Sequence, residues 1–180
     1  MRRARVRVSH WFPFGPLPSE DGAGTFFETL DEFKALLASV PSDDSHVLSG
    51  LLPSGRYFET RARELLEPLA AILGLEGSAL NGSIASLDTV DHAIEALGAE
   101  RFLTASWFEP LVAYVGEVVR ATTGGKWRVV DEQGIWEPRV VTAVQQYYVT
   151  LAVYEALDDW RTTGGIGPMI RGEIGAAKLL

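Results

Sequence analysis

Asp88-Thr89-Val90-Asp91-His92 brings two carboxylates and an imidazole into one short stretch, the side chains from which general acid–base catalysis is built. Their spacing points elsewhere. Asp88 precedes an apolar-periodic run where a helix N-cap belongs, and Asp91, three positions on, falls among the unpaired amides of the first turn, a variant of the capping box. Successive side chains on a helix diverge by about 100°, so Asp91 is poorly placed to orient the His92 ring. The expectation is a capped helix carrying a surface histidine.

The other chemistry-bearing groups meet similar objections. Asp43-Asp44 lies between Ser42 and Ser45, where Asp and Ser bond the local backbone in a turn, and no calcium-loop spacing follows. Glu117 has no second acid or histidine beside it, and Arg120 at i+3 is its natural partner. Thr122-Thr123-Gly124-Gly125-Lys126 has the glycines and lysine of an anion cradle. It fails as a phosphate loop because Arg120 stands where the first glycine belongs, Trp127 replaces the magnesium-holding Ser or Thr, and a helix precedes it instead of a strand.

Composition narrows the classes further. The chain has 180 residues, 47% apolar and 22% charged, as expected of a soluble globular domain with room for a substantial core. The absence of cysteine excludes disulfides, thiolate metal sites and cysteine nucleophiles. His10, His46 and His92 form no i,i+4 pair, which excludes a helical zinc site and leaves only carboxylates for a hard cation, so no metal or cofactor is expected. The net charge of −8 repels phosphate and argues against duplex nucleic acid. Arg2, Arg3, Arg5 and Arg7 crowd the start, but Val6 and Val8 alternate with Arg5 and Arg7, which reads as a strand with one wet face. No run is long enough for a membrane span, and the amino terminus lacks a signal-peptide core, so a cytoplasmic location is expected.

These groups must be held by recognisable elements. A Pro- and Gly-rich loop, residues 13–24, is flanked by Trp11, Phe12, Phe14, Phe26 and Phe27, which cover a core edge or line a ligand groove. Apolar periodicity predicts helices over Thr29–Val40 and Tyr57–Leu73, the second kinked or divided by Pro68. Residues 74–83 read as a flexible connector. The clearest helix spans Pro110–Thr122, with Pro110 in the first turn, Gly124-Gly125 as its stop, and an interior Gly116 that calls for another element packed too closely for a side chain. A hairpin follows, strands Lys126–Val130 and Ile135–Val141 around Asp131-Glu132-Gln133-Gly134, with Pro138 demoting the second strand to an edge or a short extended segment. A helix apolar around most of its circumference is predicted over Thr142–Trp160, and the tail is glycine-rich, then helical.

The resulting fold class is α+β and predominantly helical, several amphipathic helices packed on a small antiparallel sheet. It is organised as one domain, 1–180, with an amino-terminal lobe (1–76), a helix-hairpin-helix core (87–161) and a Gly-rich tail (162–180).

The order Leu111-x-x-Tyr114-x-Gly116-Glu117-Val118, Gly124-Gly125-x-Trp127, a hairpin with Pro138 and a closing helix resembles the DUF3806-like small bacterial proteins over about residues 87–160. Some similar sequences resemble the immunity proteins that accompany bacterial toxins. The resemblance implies a shared α+β unit with no catalytic residues to transfer. The expected function is therefore a non-enzymatic protein-binding domain, an immunity-type inhibitor or an adaptor, whose acidic surface meets a basic partner. Trp107, Trp136, Tyr147, Tyr148 and Trp160 are its candidate aromatic anchors, with Asp131, Glu132, Asp158 and Asp159 as steering charges. The alternatives are an enzyme that gathers Glu117, Asp131 and His92 in three dimensions, or a small-molecule binder using the aromatic groove.

Overall fold

In the computed structural model, residues 48, 50–132 and 135–177 are described, and all belong to the second of the two units into which the chain divides, Met1–Asp43 and Asp44–Leu180. The arginine-bearing strand, the aromatic-flanked loop, the helix Thr29–Val40 and the Asp43-Asp44 turn lie outside the described residues.

Pro68 divides the helix expected over Tyr57–Leu73. A 3-10 turn, Gly55–Tyr57, leads into α1, Phe58–Leu65, and α2, Leu69–Leu73, follows with Pro68 at its N-cap. At a helix start proline forfeits no hydrogen bond, which is why the break falls there. Phe58, Ala62, Leu65, Leu69 and Leu73 are buried, while Arg61 pairs with Glu64 at 3.7 Å on the wet face. The stretch read as a flexible connector contains a 3-10 turn, Gly77–Ala79, and is pinned to the core by Leu75 and Leu80.

Helix α3, Ser86–Leu97, has its N-cap at Ala85, three residues before the expected cap at Asp88. Asp88 is therefore a first-turn residue and not the cap. The Ser86 amide bonds Ser83 Oγ at 3.3 Å, and the Ser86 hydroxyl meets the Tyr114 hydroxyl at 2.6 Å, so this end is fixed by a serine and by a neighbouring helix.

After a 3-10 turn at Ala99–Phe102 comes α4, Ala105–Thr123. It too starts earlier than expected, because the Thr104 carbonyl accepts the amides of Trp107 and Phe108 at 3.0 and 2.8 Å. Pro110 thus lies inside the helix. The carbonyl its missing N–H would have bonded belongs to Ser106, an exposed residue, so water can serve it. Leu111, Val112, Ala113, Tyr114, Val115, Gly116, Val118 and Val119 are all buried, which makes α4 the central helix of the core. Gly124, at φ 69°, ends it in the left-handed conformation.

Strands β1, Lys126–Glu132, β2, Ile135–Val141, and β3, Gln146–Tyr147, form an antiparallel sheet in that order. Asp131 and Glu132 are strand residues opposite Trp136 and Ile135, so the reversal is tighter than the expected four-residue turn. β2 is the middle strand, which corrects its assignment as an edge. Pro138 is tolerated there because β3 pairs with β2 only at Val140 and Val141, beyond the proline.

The helix expected from Thr142 begins only at Val149. Thr142 donates its amide to the Gln145 carbonyl at 2.9 Å, and its hydroxyl accepts the Gln145 amide at 3.0 Å. That side-chain bond closes a turn in competition with helix and returns the chain as β3. Helices α5, Val149–Asp158, α6, Trp160–Thr163, and α7, Ile166–Ala177, complete the described chain. The fold is α+β and predominantly helical, with a small antiparallel sheet, as the sequence indicates.

Candidate functional site

Asp91 is where the structure departs most from the sequence reading. Its carboxylate does not cap α3; it crosses to α7 and accepts the amides of Ile166 at 3.0 Å and Gly167 at 2.8 Å, two of the donors a helix start leaves unpaired. Glycines make the approach possible. A Cβ on Gly165 would lie 2.7 Å, and one on Gly167 2.9 Å, from Asp91 Oδ2, and Gly165 itself sits at φ 111°. Burial pushes the Asp91 carboxyl above its usual value, opposed by the amides of Gly167 and Ile166 and assisted by the charge of Asp88. Asp88 in turn takes a guanidinium hydrogen bond from Arg171 at 2.8 Å, so two acids of α3 hold the first turns of α7.

The joint leaves an open groove of about 420 Å³ beside it. Asp88, Asp91, His92 and Glu95 of α3 form one wall; Trp160 and Arg161 of α6, with Gly164 and Pro168 at the start of α7, form the other. His92 and Glu95 are exposed and form no side-chain hydrogen bond to another described residue. Among the described residues, Arg161 is the one cationic side chain in the lining. The groove therefore offers an aromatic surface, an unengaged carboxylate and an imidazole, in a predominantly acidic setting. Its other two acids are occupied. Asp91 spends both oxygens on backbone amides, and no orienting carboxylate is bonded to His92, so the arrangement suits binding a cationic group better than moving a proton.

Elsewhere the polar side chains are similarly engaged. Glu117 accepts the Trp127 indole N–H at 2.6 Å and two nitrogens of Arg120, at 3.0 and 2.7 Å. Although burial raises its pKa, these bonds outweigh burial and hold the carboxyl below its ordinary value. Glu109, 3% exposed, accepts the Ser54 amide at 2.8 Å, and Arg61 bonds the Ser54 hydroxyl at 3.0 Å. Arg139, 5% exposed, donates to Glu137 at 2.8 Å and lies 4.3 Å over the Tyr148 ring. Among the described residues no group of three or more His, Asp or Glu is placed to hold a metal ion, and no helix is long and apolar enough to cross a membrane.

The candidate anchors are dispersed. Trp160 stands half-buried in the groove, with Asp158 and Asp159 exposed just before it. Trp136 is exposed beside Gly55, opposite Asp131 in the hairpin, and Glu132 ends β1. Tyr148 is exposed where β3 meets α5. Trp107 packs edge-on against Phe102 at 5.0 Å, and Tyr147, 4% exposed, is a core residue. Of the triad considered for catalysis, His92 lines the groove, whereas Glu117 and Asp131 do not. The groove residues that sequence reasoning passed over are Glu95 and Arg161. Neither carries a local signal; the run Gly164-Gly165-Ile166-Gly167 marks only where a foreign side chain can come close to the start of α7, as Asp91 does.

No family model matches the chain, and neither curated proteins nor solved structures give a significant match.

Proposed function

We propose that this protein is a non-enzymatic binding domain whose groove between α3, α6 and α7 receives a basic segment of a partner protein. One observation carries the reading: Glu95 and Trp160 line the same open groove, whose remaining acids are already engaged, Asp91 by the amides of Ile166 and Gly167 and Asp88 by Arg171. A guanidinium or ammonium group between a carboxylate and an indole face gains both charge attraction and a cation–π contact, about 0.5–2 kcal/mol for the latter. The net charge of −8 steers such a partner toward the surface. The resemblance to DUF3806-like proteins over about residues 87–160, some similar sequences of which look like immunity proteins, favours a toxin or effector as the partner class and an inhibitor or adaptor as the role.

Fluorescence anisotropy with an extended peptide alternating arginine and glycine tests the reading. Glu95→Gln and Trp160→Ala are each expected to weaken binding by about fivefold to tenfold, roughly 1–1.4 kcal/mol. Glu64→Gln, an equal change of charge on α1, is expected to leave it unchanged. Equal weakening by Glu64→Gln would assign the binding to general surface charge and remove the groove from the account.

A further inference from the structure

Helix α7 sends Ile166, Ile170 and Ile174 into the core at i, i+4 and i+8, and packs along α5, whose Ala152, Val153, Ala156 and Leu157 are buried. Beside this apolar seam each helix contributes an acid. Glu155 of α5 and Glu173 of α7 are both half-buried, and neither makes a hydrogen bond or ion pair with another described residue. Tyr147 of β3, itself buried, lies within electrostatic reach of Glu173. The remaining charges on and against the first turns of α7 are already engaged, Arg171 with Asp88 and Asp91 with the amides of Ile166 and Gly167. The seam thus holds two like charges partly withdrawn from water, with no cation among the described residues to offset them, a setting that disfavours double ionisation.

We propose that the seam between α5 and α7 is a proton-sensitive latch, in which α7 is held most firmly while Glu173 carries a proton and loosens when it ionises. Burial, and then the charge of Glu155, push the Glu173 carboxyl up to about 7. Burial raises Glu155 in the same direction. Tyr147 is raised by burial and by Glu173, so it stays neutral while the acids titrate and supplies no compensating charge.

The direction of the response follows from linkage. When α7 opens, Glu173 returns toward its ordinary value of 4.5, below its value in the closed fold. Below 4.5 both states are protonated and the latch is at full strength; it weakens as pH rises from 4.5 to about 7 and stays weak above that. Closure is therefore strongest on the acid side of neutrality.

Amide hydrogen exchange in Ile166–Ala177 tests this, corrected for intrinsic rates and followed from about pH 5.5 to about pH 8. Protection in the wild type is expected to fall on the order of tenfold across that range. Glu173→Gln should hold it level, and Glu155→Gln should move the wild-type midpoint to lower pH. A level wild-type profile, or a fall of the same size in Glu173→Gln, overturns the proposal. If Glu173→Gln does not fold, the carbon-13 titration of the Glu173 carboxyl in the wild type decides: a midpoint near neutrality supports the latch, and one at the ordinary carboxylate value overturns it.

Discussion

At Gly116 the indole of Trp127 occupies the space a side chain would need: a Cβ there would lie 1.9 Å from Trp127 Cη2. The same indole donates to Glu117, so glycine, tryptophan and glutamate form one packing device across α4 and β1. Gly116→Ala would gain about 1 kcal/mol in helix propensity, but it must displace the ring and break that bond. The expected net loss is about 1–3 kcal/mol in urea unfolding, with a change in tryptophan emission. Asp91→Ala removes the acceptor for two amides at the start of α7 and is expected to cost about 1–2 kcal/mol, with Asp91→Asn milder because one acceptor oxygen remains. Gly116 was legible in the sequence because a glycine inside an apolar helix forfeits helix propensity, a cost that a close-packed neighbour offsets. The partner of Asp91 was not, since its local spacing satisfied a capping pattern while the amides it serves lie 75 and 76 residues downstream.

Among the elements, boundaries follow side-chain hydrogen bonds as much as periodicity. Pro68 and Gly124 marked helix ends that the structure bears out, because both act through their own backbone. The start of α4 and the start of α5 were misplaced for opposite reasons. Ala105-Ser106-Trp107 precedes a proline that normally opens a helix, whereas Thr142–Tyr148 continues an apolar pattern that hides a turn and a two-residue strand too short to show a period. Thr142→Val tests the second case. Losing the hydroxyl that accepts the amides of Val144 and Gln145 is expected to cost about 1 kcal/mol, and to lower exchange protection at Gln146 and Tyr147 ahead of α5. Unchanged protection there would mean that pairing with β2 suffices to hold β3.

Across the described molecule, Tyr114, Gly116, Glu117 and Gly125 serve packing. Tyr114 ties the start of α3 to α4, Gly116 admits Trp127, Glu117 holds the indole, and Gly125 leaves room for Val140 Cγ1, which would lie 2.6 Å from a Cβ there. The fold class was legible because long apolar stripes such as those of α4 announce themselves locally. The groove was not, because it exists only where α3, α6 and α7 meet, and its Glu95 and Arg161 look like ordinary solvated charges along the chain. In the proposed function a partner protein docks in that groove. Its most direct test is site-specific photo-crosslinking in the native host, with a photoreactive residue in place of Glu95 or, separately, of Glu64. The account predicts one basic protein joined through position 95 and absent from position 64; the same adducts at both positions, or adducts at 64 alone, would contradict it.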